Sequence, residues 1–131
     1  MNSATPTKRA VTSTDPTQLT PSDGRRMNVL LTVRTPAVAD GVIAALTDLD
    51  VQFYAASSLE EVDAVLSQVH PDHVIMGGGL DLESRLQIVR RVFETSNTTT
   101  VHMNPPTGPE TYLPFVRAVL QGLLSGTPAA A

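Results

Sequence analysis

The stretch His73-Val74-Ile75-Met76-Gly77-Gly78-Gly79-Leu80-Asp81-Leu82-Glu83 constrains this chain more than any other. A short apolar run ends in three residues without side chains, and acidic residues then open a segment of helical spacing. The pattern predicts a strand covered on both faces, a close turn and the first turn of a helix. A strand covered on both faces belongs inside a parallel sheet, so the rest of the chain must supply more strands and the helices that cover them.

It does so in order. Met27 to Val33 is another almost continuously apolar run, broken by Arg34-Thr35-Pro36. Val38, Val42, Leu46 and Leu49 then recur at helical spacing, with Asp40 and Asp48 on the opposite face, so the first helix is expected to run to Leu49. Val51 to Ala55 reads as the second strand. Ser58-Leu59-Glu60-Glu61 is a capping box, with Ser58 at the N-cap and Glu61 reaching back, and the second helix buries Leu59, Val62, Leu66 and Val69. His70-Pro71-Asp72 turns the chain into the central strand. The third helix is expected from about Leu82 to Glu94, burying Leu82, Leu86, Val89 and Phe93. Thr98 to Met103 is a β-branched fourth strand. After the Pro- and Gly-rich loop Asn104–Glu110, a last helix starts near Tyr112 and buries Leu113, Val116, Leu120 and Leu124.

The alternation βαβαβαβα with short loops predicts an α/β fold: a three-layer αβα sandwich around a four-stranded parallel sheet of order 2-1-3-4, flavodoxin-like. The domain is expected over residues 27–126. Residues 1–26, rich in Thr, Ser and Pro, bury too little apolar surface to order and are expected to be disordered; Met27 is an alternative start. Residues 127–131 are expected to fray.

Composition closes several routes. There is no cysteine, hence no disulfide, thiolate metal site or Cys nucleophile. Residues 1–26 carry Lys8, Arg9, Arg25 and Arg26 against Asp15 and Asp23, a net of +2; with −4 for the whole chain, residues 27–131 carry −6. An acidic domain poor in aromatics lacks the basic face a nucleic acid requires. No apolar run is long enough to span a bilayer, and a cytoplasmic location is expected.

Pro71-Asp72-His73-Val74-Ile75-Met76 resembles the approach to the third strand of response-regulator receiver domains. The resemblance covers about residues 27–124 and implies the same fold. In that family the strand ends in a phosphoacceptor aspartate, where this chain has Gly77. An acidic pair for magnesium follows the first strand, where this chain has Val33, Arg34 and Thr35; the hydroxyl residue after strand four falls near Met103 or Asn104, and no fifth strand with its lysine follows. Aspartyl phosphorylation needs those carboxylates. The expectation is therefore a receiver-like shape without receiver chemistry, and no cofactor or metal.

In open parallel sheets ligands bind beyond the carboxyl ends of the strands, where strand order reverses. That rim is expected to gather Arg34, Thr35, Ser57, Ser58, Gly77, Gly78, Gly79, Asp81, His102 and Asn104. Gly77, Gly78 and Gly79 read first as a tight strand-to-helix turn that needs positive φ or close packing, and otherwise as an anion site approached by backbone amides; Arg34 either clamps such an anion or pairs with Asp81 and closes the site. His102 is either a general base, with Asp81 as its carboxylate, or a ligand, or else a histidine packed under a neighbouring helix or in an interface. His70 and His73 read as turn and capping residues. Lacking a fifth strand, strand four is an edge with no blocking charge or proline over Thr98–His102. Either the Asn104–Glu110 loop and last helix cover it, or two copies pair there or through that helix; a homodimer is the expectation. The functional expectation is a non-catalytic interaction or self-association module, the alternatives being a binder of a nucleotide or other small anion, or an enzyme using His102.

Overall fold

The computed structural model describes residues 26–125. The expected tail, apart from Arg26, and residues 127–131 lie outside the described residues. Strands β1 (Met27–Thr32), β2 (Val51–Ala56), β3 (His73–Met76) and β4 (Thr100–Met103) alternate with helices α1 (Pro36–Ala45), α2 (Leu59–Leu66), α3 (Leu82–Thr95) and α4 (Tyr112–Leu124). All neighbouring strands are parallel and the order is β2-β1-β3-β4, as the apolar runs of the first and third strands require.

Alternation along each strand splits the core in two. Met27, Val29, Leu31 and Ile75 pack with Ala39, Val42 and Leu46 of the α1 region and Tyr112, Val116 and Leu120 of α4. Leu30, Val74 and Met76 meet Val62 of α2 and Ile88 and Val92 of α3 on the other face. Right-handed crossovers dictate this division. The chain moves outward from β1 to β2 through α1, then returns across the sheet through α2 and α3. Asp72 joins the two inner strands before their ladder begins, its amide donating to Asn28 O and its Oδ2 accepting from Asn28 N, both at 2.8 Å.

Several boundaries differ from the sequence pattern, each for a local reason. Helix α1 ends at Ala45 rather than Leu49; the amides of Leu49 and Val51 close two turns onto Leu46 O and Leu49 O. Asp48 and Asp50 at that end oppose the helix dipole, which shortens the helix while Leu46 stays buried. Ser58 caps α2 by accepting from Glu61 N, but the Glu61 carboxylate returns to Ser57, accepting from its amide at 2.7 Å and its hydroxyl at 3.0 Å. Those bonds, the amide first, hold the Glu61 carboxyl below its ordinary pKa. Strand β4 begins at Thr100; before it the Thr98 amide is taken by a local bond to Ser96 Oγ, and the Thr99 hydroxyl donates across to Pro71 O at 2.7 Å.

The largest correction concerns α3. Leu82, Leu86 and Phe93, expected in the core, are 65%, 54% and 52% exposed, and Val89 is only partly buried. Ile88 and Val92 meet the sheet instead. The helix carries two neighbouring apolar stripes, and the sheet takes the shorter one.

Candidate functional site

The carboxyl ends of β1 and β3 open into a cavity of about 290 Å³, at the place where strand order reverses. It is lined by Val33, Arg34, Thr35 and Val38 from the segment after β1, by Gly77, Gly78 and Gly79 after β3, and by Pro106, Gly108, Pro109 and Tyr112 from the last loop and the start of α4. Arg34 is exposed and makes no hydrogen bond or close ion pair with another described residue. Its charge is felt by Asp81, whose carboxyl is lowered first by the Ser84 amide and only then by Arg34 and Arg85. Asp81 is the N-cap of α3, accepting from Ser84 N at 2.7 Å, and does not line the cavity.

The three glycines have separate reasons. A Cβ on Gly78 would stand 2.2 Å from Pro105 O, so this residue must be glycine for the Asn104–Glu110 loop to lie across it. At Gly77 and Gly79 a Cβ would meet its nearest neighbours at 3.5 and 3.6 Å, ordinary contact. The positive φ in this region belongs to Gly108, at 110°, where the loop turns into the short helical turn Pro109–Thr111. Asn104 is buried and anchors the same loop, its amide donating to Met76 O and its Nδ2 to Thr111 Oγ1. The Tyr112 hydroxyl donates to Ile75 O from a buried site, and burial raises its pKa strongly. Sequence reasoning did not single out Tyr112 or the two prolines; they reach the cavity only through the fold of the last loop.

The predicted rim residues therefore separate. Arg34, Thr35 and the glycines come together, Asn104 lies beneath the loop, and Ser57 belongs to the α2 cap. His102 and Asp81 are not brought together. His102 lies on the α1/α4 side of the sheet, where its Nε2 pairs with Thr100 Oγ1 at 3.0 Å. The same hydroxyl bonds His73 Nδ1, and the two imidazole centroids are 5.8 Å apart. The hydroxyl has one proton and two lone pairs, so at least one of the two rings must donate to Thr100. Burial, then the neighbouring His73, lowers the His102 pKa. His70 bonds the Ser96 hydroxyl at 2.8 Å. Among the described residues no three His, Cys, Asp or Glu side chains are placed to hold a metal ion, and no helix is long and apolar enough to cross a membrane.

A second locus lies at the β4 edge. The loop that follows β4 folds back over Gly78 and the cavity instead of along this strand. Arg91 pairs with Asp63 at 3.1 Å, which fixes the flank of α3 that faces α2. At about 100° per residue, Leu82, Leu86, Val89 and Phe93 fall on the opposite flank, beside β4. Met103, 42% exposed on the same face of the sheet, extends this stripe onto the strand itself. On the other face Arg117 of α4 reaches Asp48 and Ala45 O of the α1 region, each at 3.3 Å. Half a turn away from Arg117, Phe115 and Val119 thus lie on the β4 side, both only partly buried. All four exposed large hydrophobic residues among the described residues, Leu82, Leu86, Phe93 and Met103, belong to this one side of the molecule.

Compared with known proteins, the chain matches no family model, and no curated protein is similar to it.

Proposed function

We propose that this chain is a non-catalytic, receiver-like module that acts by self-association, and that the α3–β4 side is its contact face. The observation that carries this reading is the apolar stripe of α3 beside an edge strand. Taking roughly 200 Å² for a large side chain, the exposed fractions of Leu82, Leu86, Phe93 and Met103 amount to roughly 400 Å² per copy. Stable interfaces bury about 800 Å² per partner. The edge of β4 and, on the other face of the sheet, the partly buried Phe115 and Val119 of α4 extend the same side of the molecule beyond the stripe. A second copy is the partner favoured, because one twofold axis covers the stripe, the edge strand and the α4 flank of both molecules at once.

The cavity favours a second reading, in which Arg34 and the Gly78 and Gly79 region hold a small organic anion against Val33, Val38 and Tyr112. Asp81 and Glu83 near the same rim weigh against it. Native mass spectrometry of gently purified protein separates the two. Two copies without added mass support self-association. A single copy at every concentration overturns it, and a few hundred extra daltons per subunit moves the function to the cavity.

A further inference from the structure

In a parallel ladder, successive residues direct their amide and carbonyl groups to alternate sides of the strand. Thr100 N donates to Asp72 O at 3.2 Å and Asn104 N to Met76 O at 2.9 Å. The even-numbered residues of β4 are therefore bonded to β3, and Val101 and Met103 direct their N–H and C=O groups outward. Thr99 is buried before them, and Pro105 follows with no amide to donate. The usable edge is consequently short and has four hydrogen-bonding groups.

Two copies of an edge strand related by a twofold axis can pair only antiparallel. An axis at Met103 would set the Val101 groups against Pro105, which lacks a donor. An axis at Val101 would set Met103 against the buried Thr99. Only an axis at His102 places Val101 opposite Met103 of the second copy, using every outward group in four hydrogen bonds. We infer that two copies join β4 to β4 antiparallel about a twofold axis at His102, making one eight-stranded sheet of order 2-1-3-4-4-3-1-2. This inference rests on the self-association reading above and specifies its partner and register.

The side chains agree with that register. Met103 is set beside Val101 of the second copy on the α3 face, below the two exposed stripes. Strands in a sheet are about 4.8 Å apart, so the axis lies only ~2.4 Å beyond β4. The two α3 helices, each with Leu82, Leu86 and Phe93 on its outer flank, then face each other across that axis. On the opposite face the two His102 side chains become a directly opposed, non-hydrogen-bonded pair, with Cα atoms about 4.5 Å apart.

That spacing suits a disulfide, and the chain contains no cysteine of its own. The test uses full-length His102→Cys, with Gln52→Cys on the far edge strand β2 as the control for random collision, under mild oxidant. Alongside it, amide hydrogen exchange of the unmodified chain is followed as concentration rises from monomer to dimer. The expected result is conversion of most of the His102→Cys chain to a covalent dimer, with Gln52→Cys left without a cross-link. The Val101 and Met103 amides of the unmodified chain should slow by roughly tenfold or more on association. A two-copy mass with both amides at their monomer rates overturns the register and leaves self-association standing. Protected amides without a cross-link in a folded variant displace the axis from His102 and likewise overturn it. A single-copy mass throughout overturns both readings. If His102→Cys fails to fold, exchange in the unmodified chain decides alone.

Discussion

Leu86→Gln separates the two roles available to the α3 stripe. Spacing alone puts Leu86 in the core, where removing the side chain would cost about 2–5 kcal/mol of fold stability. The structure leaves it 54% exposed, in the middle of α3. Fully burying a leucine is worth about 1.5–3 kcal/mol, so roughly half of that is still unrealised in one copy. An interface that covers it gains ~0.8–1.6 kcal/mol per copy, hence ~1.6–3.2 kcal/mol across a twofold axis. Glutamine keeps the helix propensity and part of the aliphatic stem. The variant should therefore unfold in urea within ~1 kcal/mol of the parent when both are diluted to monomer. Its dimer dissociation constant, from sedimentation equilibrium, should rise roughly 15- to 200-fold. Loss of several kcal/mol of monomer stability with unchanged association would refute the reasoning and return Leu86 to the core.

Further predictions concern the interior. Gly78→Ala drives a methyl group into Pro105 O and should cost about 1–3 kcal/mol by urea titration. Gly79→Ala meets only ordinary contact and should be neutral or stabilising by up to ~1 kcal/mol; equal losses at both sites would show that the loop does not bear on Gly78. The Thr32 hydroxyl is buried without a hydrogen-bond partner, so the near-isosteric Thr32→Val should raise stability by about 1 kcal/mol, and a lower melting temperature would contradict this. For His102 the folded-state pKa lies below the ordinary value near 6.5, so the unfolded chain binds more protons as the medium acidifies. Stability should hold above about pH 7.5 and fall as pH drops through ~6.5 towards the depressed folded value. Monomer denaturation curves should show His102→Gln with a flatter acid limb, and an unchanged limb would remove His102 as the source.

The fold was legible because the two inner strands are apolar on both faces, and few arrangements bury such strands side by side. The Ser58 cap was legible for a local reason, since its partner Glu61 lies three residues away. The α3 error has a different origin. Periodicity identifies a stripe that seeks cover but not what covers it. Leu82, Leu86, Val89 and Phe93 form a longer repeat than Ile88 and Val92, yet the sheet meets the shorter one. At the rim, Arg34 and the glycines were found from strand ends alone. The placement of Asn104 and Tyr112 depends on where a loop with three prolines settles, which no repeat encodes.

The order β2-β1-β3-β4 gives the sheet two unlike edges. A joint between like edges is closed by symmetry and stops at two molecules, whereas joining β4 of one molecule to β2 of the next would repeat without end into a filament. The exposed large hydrophobic residues of α3 stand beside only one of these edges. A bare strand end in a small acidic protein is ordinarily an invitation to aggregate. Here the helix beside it rewards the arrangement that terminates.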